Sequence, residues 1–432
     1  MSSFSSRLLA AACVVLSATA GVEAGQTISA PAHLRALNAE MREARAHAKW
    51  EVLRTAALEQ VRFLNGSPDA LLELALADTR AGAQAEALGA LEAFVRMGQA
   101  TVLVRTLPAF DTLRTNPKLA PILVGMAANL RPESDTALAF TLPDAGLLPE
   151  DIAYDSVGKR ILLTSALERK IVSLDAAGRM TEFARAPDSW PMLALKIDGR
   201  RGIVWATEVA LAGFRDVPKR AWGRSAVVGY DLASGKLLRR IEGPRDSQLG
   251  DMSLAPNGDL LISDSLGGRV YLLRRGSGPL RRVDRGDFIS PETPAFAPGE
   301  DVAFVPDYVR GIGVIDLATG RVRWLPMEDR FALEGIDGMY LCGRMLVAVQ
   351  NGTSPERIVA FRLNPGFTHV LAQHTLASGT ARLDPTHGAI VGNELAFISN
   401  AGWNELDASG RVKSGEQLTP ARILRAPLPG RC

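Results

Sequence analysis

The sequence predicts a mainly β fold: a six-bladed β-propeller preceded by a small α-helical domain. A unit of roughly 40 residues recurs along the second part of the chain, a period typical of propellers, in which each blade is one four-stranded sheet. Apolar residues follow helical spacing only in the segment before these units. The six copies cover residues 148–175, 191–208, 250–273, 294–316, 334–363 and 386–404.

Each unit contains three recognisable strands separated by hairpin turns. The turn PNGD at 256–259 has Asn and Gly at positions that need positive φ, and ASGK at 233–236 and ATGR at 318–321 are similar. The runs between the turns are rich in Val, Ile, Leu and Phe, as buried strands require. Because a single blade cannot bury both of its faces, the units are predicted to stack around a ring.

The helical domain is predicted over residues 31–132. Ser67 can cap a helix that has Pro68 at its first position, and Gly82 ends this helix before a second one runs to residue 98. The small residues Ala75 and Ala87 resemble those of the tetratricopeptide repeat. Such a domain could offer a peptide-binding groove or serve as a cap packed on the propeller, and the sequence leaves both open. Further helices are predicted at 33–46, 50–64 and 108–130.

The propeller is predicted to span residues 136–429 and to be closed by its own chain ends. The segment 136–143 has the pattern of a strand that belongs to no complete unit, and the sixth unit lacks its outermost strand. The two fragments together complete one blade, which would remove exposed sheet edges.

Composition and charge exclude several classes of protein. The content of 47% hydrophobic and 22% charged residues is that of a folded soluble chain, and a net charge of +2 with scattered Arg residues argues against a nucleic-acid partner. Residues 1–24 resemble an export signal, with Arg7 before an apolar core and a small-residue cleavage site before Gly25. We therefore expect an exported protein, periplasmic or secreted, without a transmembrane span after signal removal.

Cysteine usage is consistent with export. Loss of the signal segment removes Cys13 and leaves Cys342 and Cys432. Two cysteines in an exported chain can form a disulfide, which here would tie the C-terminus to the fifth unit, or can remain as two free thiols. The sequence has no Gly-rich phosphate loop, paired CxxC, HExxH or GxSxG motif, so nucleotide binding, structural zinc and the usual serine hydrolase arrangement are not indicated.

Several segments resemble a known family. PEDIAYD (149–155), EGIDGMYL (334–341), VQNG (349–352) and GAIVGNELAFISNAGWN (388–404) are similar to the senescence marker protein, gluconolactonase and strictosidine synthase-like propellers over about residues 136 to 428. The resemblance implies a six-bladed propeller with a cation, usually calcium, over the central tunnel. Several members of the family hydrolyse lactones or related esters there.

The resemblance also implies site residues. Glu150 matches the Glu ligand of the first blade, Asp337 matches the Asp of a later blade, and Asp251 lies one residue from an expected ligand position. The pair Glu150-Asp151 resembles one in which the Asp serves a second cation, with Asp251 as its partner. Where the family has Asn ligands this chain has Pro191-Met192 and Gly250, and Met192 offers no side-chain oxygen.

Other polar residues are expected at the same end of the tunnel. His387 opens the sixth unit and could act as a general base with Asp337, or could line the tunnel bonded to neighbouring backbone. Glu334 and Asn351 are further candidates for this face.

Two functions from different classes follow from these residues. The first is a calcium- or other divalent-cation-dependent hydrolase of a lactone or small ester. The second is a non-catalytic module that uses the propeller and the helical repeat to bind a small ligand or a protein partner.

Overall fold

The computed structural model describes residues 28–379 and 383–432, and the predicted export signal lies outside this range. Six antiparallel sheets follow one another along the chain, so the predicted fold class is confirmed. Five sheets have four strands and the fifth blade has an additional short strand, Glu133–Ser134, at its outer edge. Across the described ranges, no helix is sufficiently long and apolar to cross a membrane.

The blades are numbered 1 to 6 in chain order, with strands given from the innermost outwards. Blade 1 contains Pro149–Asp155, Arg160–Ser165, Lys170–Leu174 and Met180–Arg185. Blade 2 contains Met192–Asp198, Ile203–Val209, Ser225–Asp231 and Leu237–Glu242. Blade 3 contains Leu249–Leu254, Leu260–Asp264, Arg269–Leu273 and Arg281–Arg282. Blade 4 contains Ala295–Phe296, Val302–Asp307, Gly311–Asp316 and Val322–Trp324.

The last two blades are completed by strands from before blade 1. Blade 5 contains Ile336–Cys342, Met345–Gln350, Arg357–Leu363, Val370–Ser378 and the added Glu133–Ser134. Blade 6 contains Gly388–Val391, Glu394–Ile398, Arg422–Pro427 and Ala137–Thr141. The last of these strands pairs with Arg422–Pro427, with Leu138 opposite Leu424 and Phe140 opposite Ile423. Hydrogen bonds between the two ends of the propeller chain therefore close the ring.

The helical domain contains seven α-helices among the described residues. They are α1 Ala30–Ala46, α2 Trp50–Phe63, α3 Pro68–Ala81, α4 Gln84–Arg96, α5 Leu103–Thr106, α6 Asp111–Arg114 and α7 Leu119–Asn129. Ser67 Oγ accepts a hydrogen bond from the Ala70 amide, and Gly82 ends α3 with a φ of 84°, as their residue types predict. The predicted helix over 108–130 is interrupted around Pro117, because proline disfavours helical backbone in the residue before it.

The helical domain packs directly on blades 4 and 5. Leu71, Ala93 and Met97 belong to the same buried cluster as Leu333 and Ile336 of the propeller. Polar contacts accompany this shared core. Asn65 Nδ2 donates to the Leu325 carbonyl at 2.7 Å, and the Arg310 guanidinium lies 4.5 Å from the centre of the Phe63 ring. The helices therefore form a cap attached to the propeller by a continuous apolar interface.

The helical domain covers the end of the propeller at which the innermost strands begin. Innermost strands run in the same direction around a propeller, so their starts share one face with the loops between the second and third strands of each blade. The Ala100 amide donates to the carbonyl of Ser354, which lies in such a loop of blade 5, at 2.7 Å. The Ala30 amide donates to the Gly286 carbonyl, between blades 3 and 4, at 2.9 Å. We refer to this end as the upper face.

Cys342 and Cys432 are joined in a disulfide, with their Cα atoms 4.4 Å apart. Cys342 ends the innermost strand of blade 5. Cys432 lies a few residues after Arg422–Pro427, the third strand of blade 6. The bridge holds the C-terminal residues against a neighbouring blade across a sequence separation of 90 residues.

Replacing Cys432 by serine is expected to lower the free energy of unfolding by about 2–4 kcal/mol, because a long loop in the unfolded chain is no longer closed. Urea unfolding of the C432S variant measures the loss. Reductant should destabilise the wild-type protein by a similar amount and leave C432S unchanged. Equal stability of the oxidised wild type and the variant would contradict this role.

Candidate metal centre

The innermost strands carry a register irregularity close to where they begin. In blades 1, 3 and 5 the regular pairing is interrupted between Pro149 and Ile152, between Leu249 and Asp251, and between Ile336 and Gly338. A bulge inserts an extra residue and changes the direction of neighbouring side chains. These interruptions contain or adjoin Glu150, Asp151, Asp251 and Asp337. The bulges therefore place acidic side chains at the upper end of the tunnel.

A buried contact between a histidine of blade 6 and a carboxylate of blade 3 lies at the centre of this group. His387 and Asp251 are 1% and 4% exposed, and the His387 Nε2 atom lies 2.6 Å from Asp251 Oδ1. The His387 Nδ1 atom lies 3.0 Å from the Glu150 carbonyl oxygen. Thr293 of blade 4 donates its hydroxyl to Asp251 Oδ1 at 2.5 Å. One histidine thus connects residues from blades 1, 3 and 6.

Asp337 is joined to the same region from blade 5. Asn351 Nδ2 donates to Asp337 Oδ2 at 2.6 Å and to the Pro385 carbonyl at 2.8 Å. Asn351 Oδ1 in turn accepts from the Tyr308 hydroxyl at 3.0 Å. Asn351 therefore lies in the region predicted for it, where it orients a carboxylate.

Glu292 and Trp403 belong to the site but are not among the residues predicted from the sequence. Glu292 precedes the short innermost strand of blade 4, and its Oε1 accepts from the Ser290 hydroxyl at 2.9 Å. Trp403 lies in a long loop of blade 6, and its Nε1 donates to Glu150 Oε2 at 2.5 Å. The available signal for Glu292 is its position next to the start of an innermost strand, since Glu150, Asp251 and Asp337 also lie near the starts of such strands. No spacing in the sequence indicates Trp403.

The carboxylates influence one another strongly. Burial raises the pKa of Glu150 to about 8, and the nearby Asp337 contributes to the increase. Burial also raises the pKa of Glu292 well above its ordinary value, with further contributions from Asp251 and Asp337. Burial opposes ionisation of Asp251, but the charge of His387 and its hydrogen bond lower the Asp251 pKa below its usual value. The site thus concentrates more acidic groups than one histidine can neutralise.

Two overlapping groups have the spacing needed to hold a metal ion. Asp251, Glu292 and Asp337 each offer a carboxylate oxygen, and these atoms lie within 4.8 Å of one another. A second group consists of Glu150, Asp337 and His387, whose ligand atoms also lie within 4.8 Å of one another. Oxygen ligands of this kind suit calcium or magnesium. The donor atoms of the first group therefore fit a hard divalent cation, and Asp337 belongs to both groups.

His387 makes the backbone contact predicted as the alternative to a general base, since its Nδ1 lies 3.0 Å from the Glu150 carbonyl oxygen. Burial alone would lower its pKa, but Asp251, Asp337 and Asp151 together raise the His387 pKa well above its ordinary value. Both ring nitrogens are engaged, Nδ1 with the Glu150 carbonyl oxygen and Nε2 with the Asp251 carboxylate. His387 therefore positions Asp251, and its role as a general base stays a prediction.

Asp151 and Glu334 lie apart from the two groups. Asp151 Oδ2 accepts from Lys196 Nζ and from the Leu195 amide, both at 2.7 Å, so its charge is balanced within blade 2. It is therefore not brought together with Asp251 as a second cation site. Glu334 is directed to the helical domain, where its Oε1 accepts from the Asp69 amide at 3.1 Å. This contact corrects its predicted place on the tunnel face.

Two long loops border the site on the side away from the helical domain. They connect the second and third strands of blade 2, at 210–224, and of blade 6, at 399–421. The Arg215 amide donates to the Ser409 carbonyl at 2.7 Å, and the Phe214 and Trp403 rings lie 6.2 Å apart. The upper face is thus covered by helices over blades 4 and 5 and by packed loops of blades 2 and 6.

Comparison with known proteins finds similarity in structure. No family model matches the chain, and no curated protein matches it. A PQQ-bound aldose sugar dehydrogenase from Streptomyces coelicolor is 15% identical, covers 69% of this chain and 99% of its own, and superposes with a TM-score of 0.47. A gluconolactonase from Xanthomonas campestris is also 15% identical, covering 68% of this chain and 89% of its own with a TM-score of 0.47.

A calcium-binding protein, regucalcin, from Agrobacterium tumefaciens is 17% identical and covers 68% of this chain and 96% of its own, with a TM-score of 0.47. These similarities concern the fold. A gluconolactonase is among the proteins to which the sequence was predicted to be related. At 15–17% identity, however, the superpositions assign neither an activity nor a cofactor to this chain.

Proposed function

We propose that the protein is an exported, divalent-cation-dependent hydrolase that acts on a lactone or small ester at the upper end of the propeller tunnel. The observation that carries this proposal is the convergence of carboxylates from four blades. Asp251, Glu292 and Asp337 form one potential ligand group, and Glu150 shares the second group with Asp337. The disulfide between Cys342 and Cys432 supports export, because such bonds persist in oxidising compartments.

Asp251, Glu292 and Asp337 would hold the cation, most simply calcium. When bound there, the cation would polarise the substrate carbonyl and lower the pKa of a bound water. The protein itself supplies orientation. Asn351 fixes one Asp337 oxygen, while His387 and Thr293 fix Asp251 Oδ1. Preorganised ligands of this kind need little rearrangement when a cation binds.

Glu150 is the group that would accept the proton of the attacking water. It belongs to the group with Asp337 and His387, but it is not one of the three carboxylates that would hold the cation. The Trp403 N–H donates to Glu150 Oε2, which leaves Oε1 for a water or a substrate. Burial raises the pKa of Glu150 to about 8, and a cation held by the neighbouring Asp337 would lower it, so that the ionised carboxylate can accept the proton and then return it to the leaving alkoxide.

Two substitutions separate cation binding from catalysis. Asp337→Asn should abolish stabilisation by calcium and lactone hydrolysis together, because Asp337 belongs to both groups. Glu150→Gln should reduce kcat by about 100-fold or more while calcium stabilisation persists. Asp301→Asn, an exposed carboxylate in a hairpin of blade 4, is the control and should change neither quantity.

The measurements are thermal unfolding with and without calcium and hydrolysis rates over a panel of γ- and δ-lactones and small esters. Failure of the wild-type protein to bind any of calcium, magnesium or manganese would overturn the proposal. Cation binding without hydrolysis of any panel member would instead identify the non-catalytic binding module that the sequence also allows.

A further inference from the structure

A cavity of about 320 Å³ lies where the helical domain meets the outer strands of blade 5. Its walls come from the end of α4, the segment after α7 and the outermost long strand of the blade. It is distinct from the tunnel site, which lies at the innermost strands. Its charged and polar lining includes Arg131, Glu133, Arg357, Gln373, Thr375 and Ser378.

Arg357 is the principal charged group of this cavity. Its side chain is buried, with 3% of the residue exposed. The Nε atom donates to Gln350 Oε1 at 2.7 Å, and Nη1 donates to the Met97 carbonyl at 3.3 Å. The Nη2 atom is also buried and has no hydrogen-bond partner among the described residues. A buried donor without a partner costs free energy unless a ligand or water satisfies it.

The charge of Arg357 is also incompletely balanced. The two hydrogen bonds above end on uncharged oxygens. Burial lowers the pKa of Arg357 to about 10, while the charge of Glu334 acts to raise it. The guanidinium is therefore charged at neutral pH. Burial raises the pKa of Glu334 well above its ordinary value, and the charge of Arg357 acts in the opposite direction. A negative charge in the adjacent cavity would be attracted to Arg357.

The neighbouring backbone makes room for the guanidinium. Gly98 has a φ of +78°, and a Cβ atom at this position would lie 2.6 Å from Arg357 Nη1. Glycine therefore satisfies both the backbone conformation and the close approach. Arg131, which is exposed, adds a second guanidinium to the cavity lining, and Thr375 and Ser378 add hydroxyl donors. The exposed Glu133 is the acidic side chain in the lining and opposes an anion.

We propose that this cavity binds a small anion bearing a carboxylate or phosphate group, with Arg357 and Arg131 as its charged donors. Guanidinium groups match the planar oxygens of carboxylates and the oxygens of phosphates. Because the donors come from the propeller and from the segment that follows the helices, the anion strengthens the contact between the two domains. This site is independent of the proposed hydrolase and needs no metal ion.

Calorimetric titration of the full-length chain with inorganic phosphate and with succinate tests the proposal. Constant ionic strength excludes general screening, and treatment with EDTA followed by dialysis into EDTA-free buffer removes any cation from the tunnel before the titration. We expect saturable binding at one site for at least one anion. Preference for phosphate or for succinate then distinguishes the two sources of negative oxygen.

Two neighbouring substitutions should act in opposite directions. Arg131→Gln should weaken binding about fivefold or more, and Glu133→Gln should tighten it, because each changes the charge of the lining by one unit. Arg362→Gln, on the same strand as Arg357 but exposed, should leave the affinity unchanged. Arg357→Gln should abolish binding if the variant folds.

The Arg131 and Glu133 variants decide the question if Arg357→Gln does not fold, since both residues are exposed. Absence of saturable binding of both anions by the wild-type protein would overturn the proposal. Equal affinities of the wild type, Arg131→Gln and Glu133→Gln would overturn it as well, because binding would then lie elsewhere.

Discussion

Replacing Arg357 by methionine is expected to lower the free energy of unfolding by about 3 kcal/mol. Methionine retains much of the apolar stem but leaves Gln350 Oε1 without its donor, and the Met97 carbonyl keeps only the hydrogen bond from Gln99 Nε2. Gln350 Nε2 also donates to the carbonyls of Ala332 and Glu334, at 2.9 and 2.8 Å. Loss of one guanidinium therefore disturbs a buried polar network that connects helix α4 with blade 5.

Urea unfolding followed by tryptophan fluorescence measures this effect. Arg362→Met is the matched control, because Arg362 lies on the same strand with its side chain exposed, and its replacement should change stability by less than about 0.5 kcal/mol. Limited proteolysis should show faster cleavage between the helical domain and blade 1 in the Arg357 variant alone. Equal stability of the two variants would show that the network does not hold the domains together.

Disruption of the closing strand is expected to have the second large effect. The double substitution Leu138→Pro and Phe140→Pro removes two amide donors and restricts the backbone of Ala137–Thr141, which pairs with Arg422–Pro427. We expect a loss of more than about 3 kcal/mol. The strand Arg422–Pro427 would then become an exposed edge, and we also expect aggregation that increases with protein concentration.

The control for this experiment is Leu138→Thr with Phe140→Thr, which retains both amides and a residue type that favours strands. Thermal unfolding and light scattering at several concentrations measure the two consequences. If both double variants unfold at the same temperature, the contribution of this strand comes from its side chains, and closure by backbone hydrogen bonds is not required.

Most of the fold could be predicted because it follows from local chemistry. Turn residues such as Asn257 and Gly258 recur at similar points of the units, and the apolar runs between them require burial on both faces. Ser67 and Gly82 mark the two ends of α3 for equally local reasons. These signals depend on neighbours within a few residues, so they can be recognised without knowing which blades touch.

The candidate site was predictable only in part. Glu150, Asp251, Asp337 and His387 are brought together at the upper face, but the sequence did not predict the contribution of Glu292. Glu292 precedes the innermost strand of blade 4, Ala295–Phe296, which is too short to show an alternating pattern. In other blades, bulges obscure this pattern. A single extra residue reverses which side chains face the tunnel, and alternation of apolar and polar residues does not reveal where that residue is inserted.

The role of each charged residue depended on partners that are distant in sequence. Asp151 and Glu150 are adjacent, yet Asp151 pairs with Lys196 of blade 2 while Glu150 accepts from Trp403 of blade 6. Glu334 and Asp337 are separated by two residues, yet Glu334 meets the helical domain. No local property of these carboxylates distinguishes the two outcomes.

The sequence alone determined the number of blades and the order of the domains, because period, turn chemistry and apolar patterning are local properties. The end of the tunnel at which acidic residues lie was implied by the family resemblance. The tertiary structure decided which of these residues share an electrostatic environment. It placed the His387 ring against Asp251 and left one nitrogen of Arg357 without a partner among the described residues, beside a cavity. The physical reason is that desolvation and charge pairing depend on the distances between blades and domains, and only the folded chain sets these distances.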